Sequence, residues 1–356
     1  MMRRLLFSLA IAAAVWGRRS AAADEPDKQP EAGKSVVDTD RPKVETGMPN
    51  VETPTLGGMQ FWGDELLFRK WRIQRHVTTG HCRLLDDHNH RLAWGTFGEC
   101  QDKLEDIKCD QLIEPMRGRA VILLHGLGRT RGSMRSLAKH LQKDGDITVL
   151  RVGYPSTRAG IDRHAEALAS IIAHLDGIQE IDFVAHSLGN LVIRRYLAQA
   201  AESEVGHADP RIHRIVMLTP PNQCSRRGSL WDESKWFGGL YRTVLGDSGK
   251  QVASDWKATA PNLATPRCEF GIIAGGRGDE RGWHEELPGD DDGTVAVAET
   301  LLPGARDFLV VPVRHTFVAD DSRVQEYVQR FLERGFFASD EERRPIAEKD
   351  ETTKRE

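Results

Sequence analysis

Hydrophobic positions along the chain change rhythm near residue 117. From Ala120 onward, short apolar runs alternate with segments whose apolar residues recur every three or four positions. Ala120 to Leu124, Ile147 to Val152, Ile181 to Ala185, Ile212 to Leu218, Phe270 to Ala274 and Phe308 to Val311 are nearly continuous apolar runs. Between them, Ser133 to Gln142, Ile161 to Leu175 and Leu188 to Leu197 carry helical spacing, and a last amphipathic helix runs through Val324, Tyr327, Val328 and Phe331. Strands without polar alternation, separated by helices, predict a mostly parallel sheet covered on both faces, an α/β fold. Ligands of such sheets sit beyond the carboxyl ends of the strands.

The segment 56–116 reads differently. Phe68 to Gln74 alternates, and Arg83-Leu84-Leu85 and Arg91-Leu92-Ala93-Trp94 flank a polar turn from Asp86 to His90. Two or three short strands followed by a helix over Glu99 to Leu112 are expected, a short β-rich segment packing on the core. The ends are unlike either part. Arg3 and Arg4, the apolar stretch from Leu5 to Trp16 and the small residues before Asp24 have the make-up of a secretory signal over 1–23, and the apolar part is too short to span a bilayer comfortably. An exported protein, periplasmic or extracellular, is therefore expected. Residues 24–55 are polar and apolar-poor, a solvated linker, and 338–356 is a charged, disordered tail.

Composition narrows the function. With 39% hydrophobic residues the chain can bury a large core, and a formal net charge of -4 gives no basic field to gather nucleic acid. In an exported chain five cysteines leave at least one unpaired. Cys100 and Cys109 are too far apart along one helix to bond each other; either could reach Cys82, while Cys224 and Cys268 are expected free or buried. His88 and His90 beside Asp86 and Asp87 hint at a metal, but ligands on one polar turn without a further partner are usually solvated, so neither metal nor organic cofactor is expected.

The chemistry lies at strand ends. Ala185-His186-Ser187-Leu188-Gly189 joins an apolar strand to a helix, and a serine at the apex of so sharp a turn has its hydroxyl lifted clear of the sheet. A serine that merely caps the helix would look the same in isolation. A serine nucleophile needs a base. His315 follows the last strand directly, whereas His140, His164 and His174 fall inside helices. The orienting carboxylate is expected from Asp290-Asp291-Asp292-Gly293, with Asp292 preferred for its place beside Gly293, Asp291 next, and Asp279 more distant. Two backbone amides would bind the developing oxyanion: that of Leu127, in His125-Gly126-Leu127-Gly128, and that of Leu188. The chain order Ser187, Asp292, His315 fits this type of sheet.

Taken with Tyr154-Pro155-Ser156, Pro220-Pro221-Asn222 and Asp292-Gly293-Thr294-Val295, these motifs resemble the α/β hydrolases of the small lipase and esterase type. More narrowly, the chain is similar to exported bacterial lipases of the inositol-deacylase-like group. The likeness covers Arg117 to Phe337 and also the segment from Gly58. It implies an α/β-hydrolase domain at 117–337, Ser187 as nucleophile, His315 as base, Asp292 as acid, and Leu127 with Leu188 as oxyanion hole. Ala185 stands where the family has the first elbow glycine, and Cys224 where a glycine is expected. An insertion at 222–266, with Trp231, Trp236, Phe237, Tyr241 and Trp256, is expected to cap the site. The resulting expectation is a carboxylic-ester hydrolase acting on a small-molecule or lipid ester, with transient contact to a lipid surface compatible with it. Acyl transfer to an alcohol or sugar, or binding without turnover, are the alternatives.

Overall fold

The computed structural model describes residues 60–143, 145, 147–224 and 246–348. The expected signal segment 1–23, the linker 24–55 and most of the aromatic residues of the expected cap lie outside the described residues. Among the described residues ten strands form two sheets. The first is an antiparallel meander of β1 (Trp62–Phe68), β2 (Trp71–His76), β3 (Cys82–Leu85) and β4 (Arg91–Gly95). Four strands stand where two or three were expected. The alternating stretch Phe68 to Gln74 is a hairpin: Arg69 takes the left-handed φ of 51° and the chain reverses before Trp71. Helix α1 (Phe97–Asp110) covers this sheet, and its start is fixed by a reciprocal pair in which Glu99 N–H reaches the Thr96 hydroxyl and the Glu99 carboxylate accepts from Thr96 N–H.

The second sheet has the order β10-β9-β8-β7-β5-β6 and is parallel throughout. Its strands are β5 (Gly118–Leu124), β6 (Ile147–Val152), β7 (Ile178–His186), β8 (Ile212–Leu218), β9 (Glu269–Gly275) and β10 (Asp307–Val311). Alternate residues of one strand enter opposite layers, as the pleat requires. Ile122, Phe183 and Met217 pack with α3 (Ile161–Ala173) and α4 (Leu188–Glu202); Val121, Val184 and Val216 pack with α2 (Arg135–Leu141) and α5 (Ser322–Arg334). Both faces being buried, the strands carry no polar alternation, and the expected α/β fold is present.

The first layer is continuous with the small sheet, because Ile73, Leu84, Cys82 and Cys100 belong to the same apolar cluster. Cys82, Cys100, Cys109 and Cys268 are free thiols. Cys82 and Cys100 are buried near one another as thiols, and desolvation raises the pKa of Cys100 to about 12; Cys109 is exposed on α1. Part of the expected solvated tail is instead docked. Ile346 exchanges backbone hydrogen bonds with Gly304 and Ala305, and Arg344 N–H donates to Asp307 Oδ1. The apolar side chain of Ile346 packs on the core, which a charge count over the segment overlooks. Among the described residues no helix is long and apolar enough to cross a membrane.

Candidate active site

After β5 the chain passes to β6 on one side and later to β7 on the other, so the carboxyl ends of β5 and β7 flank a topological switch point. Ser187 stands there, between His186, the last residue of β7, and α4. Its backbone has φ 53° and ψ −120°, a strained conformation held by Ser187 N–H to Leu218 O at 2.9 Å and by Asn190 Nδ2 to Ser187 O at 3.0 Å. Close packing makes the sharp turn feasible. A Cβ on Gly189 would lie 2.8 Å from Leu124 Cβ, and one on Gly126 3.2 Å from Ser187 Cβ. The Ser187 side chain makes no capping bond to α4, which sets aside the reading of this serine as a helix cap.

Its hydroxyl faces an imidazole. His315 Nε2 is 3.0 Å from Ser187 Oγ, and His315 Nδ1 is 2.6 Å from Asp292 Oδ2. His315 follows β10, and its own N–H donates to Asp292 O at 3.0 Å, so backbone and side chain fix the same pair. Asp292 is buried, and its Oδ1 accepts from Thr294 and Val295 N–H at 2.9 and 2.7 Å. That spread of donors leaves Oδ2 turned to the ring. The neighbouring acids face elsewhere: Asp291 accepts from Gly293 and His284 N–H, Asp290 from Arg277 and Gly278 N–H, and Asp279 is at the surface accepting from Arg281 and Gly282 N–H.

Leu188 is the first residue of α4, where a helix leaves its N–H groups without intrahelical acceptors. Leu127 lies in the turn after β5, closed by Arg129 N–H to Gly126 O, with Gly128 at φ 67° donating to Ser156 Oγ at 3.0 Å. Residues with no assigned role in the motif reading complete the surroundings. His186 is buried against the His315 ring with Nε2 3.0 Å from His315 O; desolvation, then the His315 and Arg129 charges, hold its pKa well below the ordinary value. It is thus a neutral N–H donor that fastens the His315 backbone. His125 stacks on Tyr154 at 4.1 Å, and burial lowers its pKa to about 4. The signal for these was only that they sit inside the motifs; nothing in residue type distinguished them from turn formers. Cys224, where a glycine was expected, keeps the glycine-like φ of 98°.

Among the described residues two clusters place metal-ligating atoms within 4.8 Å of one another, Asp86 with His88 and His90, and Glu180 with Asp182 and His213. In the first, Asp86 Oδ1 is engaged by the His88 and His90 amides. In the second, Arg119 contacts both carboxylates and supplies the positive charge a cation would bring. That second cluster lies toward the other end of β7 from Ser187.

A parallel sheet with a serine elbow at its switch point and a histidine after its last strand defines the α/β hydrolase class. A model of the family described as Alpha/beta hydrolase family matches residues 121–346, and the chain belongs to that family. The match is at the level of the whole family, coarser than the inositol-deacylase-like group expected from the motifs. Among solved structures the chain is similar to a gene product, lin2722, of Listeria innocua, with 18% identity, 67% of this chain and 99% of that one covered, and a TM-score of 0.43. It is also similar to the lipase BlEst2 of Bacillus licheniformis in mature form, with 16% identity, 62% and 92% covered, and a TM-score of 0.43. A third is phospholipase PlaB of Legionella pneumophila, with 16% identity, 61% and 57% covered, and a TM-score of 0.41. No curated protein matches.

Proposed function

We propose that the protein hydrolyses carboxylic esters through Ser187, His315 and Asp292. The reading rests on one hydrogen-bonded line, Ser187 Oγ to His315 Nε2 and His315 Nδ1 to Asp292 Oδ2. With the ring proton on Nδ1, shared with the buried carboxylate, Nε2 has a free lone pair for the serine proton. As Oγ attacks the ester carbonyl, the proton passes to Nε2 and the imidazolium is stabilised by Asp292. The carbonyl oxygen becomes negative, and the Leu127 and Leu188 amides are the donors proposed to receive it. His315 then returns the proton to the departing alcohol, and water, deprotonated by the same imidazole, releases the acyl group.

The test is labelling with a fluorophosphonate, which needs an activated serine and no particular alcohol, followed by turnover of p-nitrophenyl esters of graded length. The parent is expected to label and to hydrolyse; Ser187→Ala is expected to do neither. Equal labelling of both would show that another hydroxyl reacts and would sink the assignment.

A further inference from the structure

The small amino-terminal sheet has so far no part in the chemistry, yet the residue just ahead of its first strand reaches the turn that carries Leu127. Gln60 Nε2 donates to Arg129 O at 3.0 Å, while its Oε1 accepts from Thr157 N–H at 3.2 Å and from Thr157 Oγ1 at 2.9 Å. One side-chain amide thus ties the end of the 126–129 turn to the loop after β6. That loop is held at its other end by Asp64, whose N–H donates to Gly153 O at 2.8 Å and whose Oδ2 accepts from Gly153 N–H at 2.7 Å. Between these two anchors Ser156, fully buried, accepts from Gly128 N–H. Asp64 is itself locked by Gln74 Nε2 at 2.7 Å, and Gln74 Oε1 by Arg83.

We infer that the amino-terminal sheet braces the oxyanion turn, and that Gln60 is a positioning residue for the ester hydrolysis proposed above, on which this role depends. An oxyanion donor acts only when held within about 0.5 Å of its productive place. Beyond the Arg129 N–H to Gly126 O bond that closes it, the turn rests on the permissive residues Gly126 and Gly128, so contacts from outside set its position. A Cβ on Gly126 would lie 3.0 Å from His186 Nδ1 and 3.2 Å from Ser187 Cβ, so the turn stands beside the serine and its movement changes where the Leu127 N–H stands relative to the serine oxygen. The span needs one group that donates at one end and accepts at the other, which a side-chain amide provides and a carboxylate does not.

The experiment compares Gln60→Ala and Gln60→Glu with the parent in the full chain. Gln60→Glu keeps an acceptor for Thr157, and so the packing of the sheet, but loses the donor to the Arg129 carbonyl. Both variants are expected to lose about 10- to 100-fold in kcat with KM within about twofold, because only the transition state uses the donor. An alkyl boronic acid, which forms an oxyanion on the serine, should weaken by the same factor, and the basic-side pH profile should stay in place. Amide exchange in the 126–130 peptide should quicken in both. Parent-like kcat in either variant, a loss confined to KM, or unchanged exchange overturns the brace. If the parent itself turns over no ester, the hydrolase reading fails, and the exchange comparison alone decides the brace.

Discussion

Three consecutive aspartates show how much a single position matters. Asp290 and Asp291 hold the loop between residues 277 and 284 through its amides, and only Asp292 meets the imidazole. Replacing Asp292 by Asn removes the acceptor that fixes the histidine tautomer, and kcat is expected to fall about 10⁴-fold with the fold intact. Asp291→Asn should leave kcat within a few-fold, at about that tolerance, and instead lower Tm, since its buried oxygens serve structure. Rate assays on the two purified variants, run beside thermal melts, separate these outcomes. The candidates Ser187 and His315 stood out because one directly follows an apolar strand and the other comes a few residues after one, and a strand end has a definite place in a parallel sheet. The candidate acid was a choice among neighbours of one residue type. What separates them is the direction each side chain takes in a turn where Gly293 adopts φ 90°, and that belongs to the folded chain. Gln60 carried no signal at all, lying ahead of the first strand in a region without periodicity.

At the scale of elements, apolar runs announced every strand of the large sheet, since burial on both faces leaves no competing pattern. The small sheet was harder. Its hairpin from β1 to β2 turns at Arg69 and Lys70 without Gly, Pro, Asn or Asp, so no turn residue punctuated the alternation; Arg69 is held there by its guanidinium bonds to Glu114 O and Pro115 O. How α5 closes against the sheet likewise depends on a detail too small for pattern. Gly271 in β9 faces the rings of Phe331 and Phe337, and a Cβ there would lie 2.5 Å from Phe331 Cε2 and 2.6 Å from Phe337 Cζ. These rings are fully buried and have no room to retreat. Gly271→Ala is therefore expected to cost about 1–3 kcal/mol by overpacking, seen as a lower midpoint in urea, with the rate of the proposed ester hydrolysis below the transition unchanged. A midpoint equal to that of the parent would mean that α5 shifts freely.

At the scale of the whole molecule, two buried histidines are expected to contribute to the response to acid. His125 and His164 are neutral in the fold, their pKa values lowered by desolvation from 6.5 to about 4 and about 3. His164 faces Tyr154, His125 and Arg163, and its Nε2 has no hydrogen-bond partner among the described residues. Below 6.5 the unfolded chain takes up protons that the folded chain refuses, so the stability these groups permit at neutral pH is lost as the pH falls from 6.5 towards about 3. Each contributes about 1.4 kcal/mol per pH unit within its own window. Melts between pH 7 and pH 4 should show this decline, and His164→Leu should make it shallower. An identical slope in the variant would place the acid sensitivity elsewhere.

The docked carboxyl-terminal segment carries one more consequence, for the order in which the polypeptide completes itself. Asp307, at the head of the edge strand β10, is buried, and its carboxylate accepts from Phe308, Phe337 and Arg344 N–H. Two of those donors are translated some thirty or more residues later. While the residues beyond Phe308 are still in the ribosomal tunnel, two of the three donors to this carboxylate have been made but have not emerged, so the edge stays wet until Arg344 has left the tunnel.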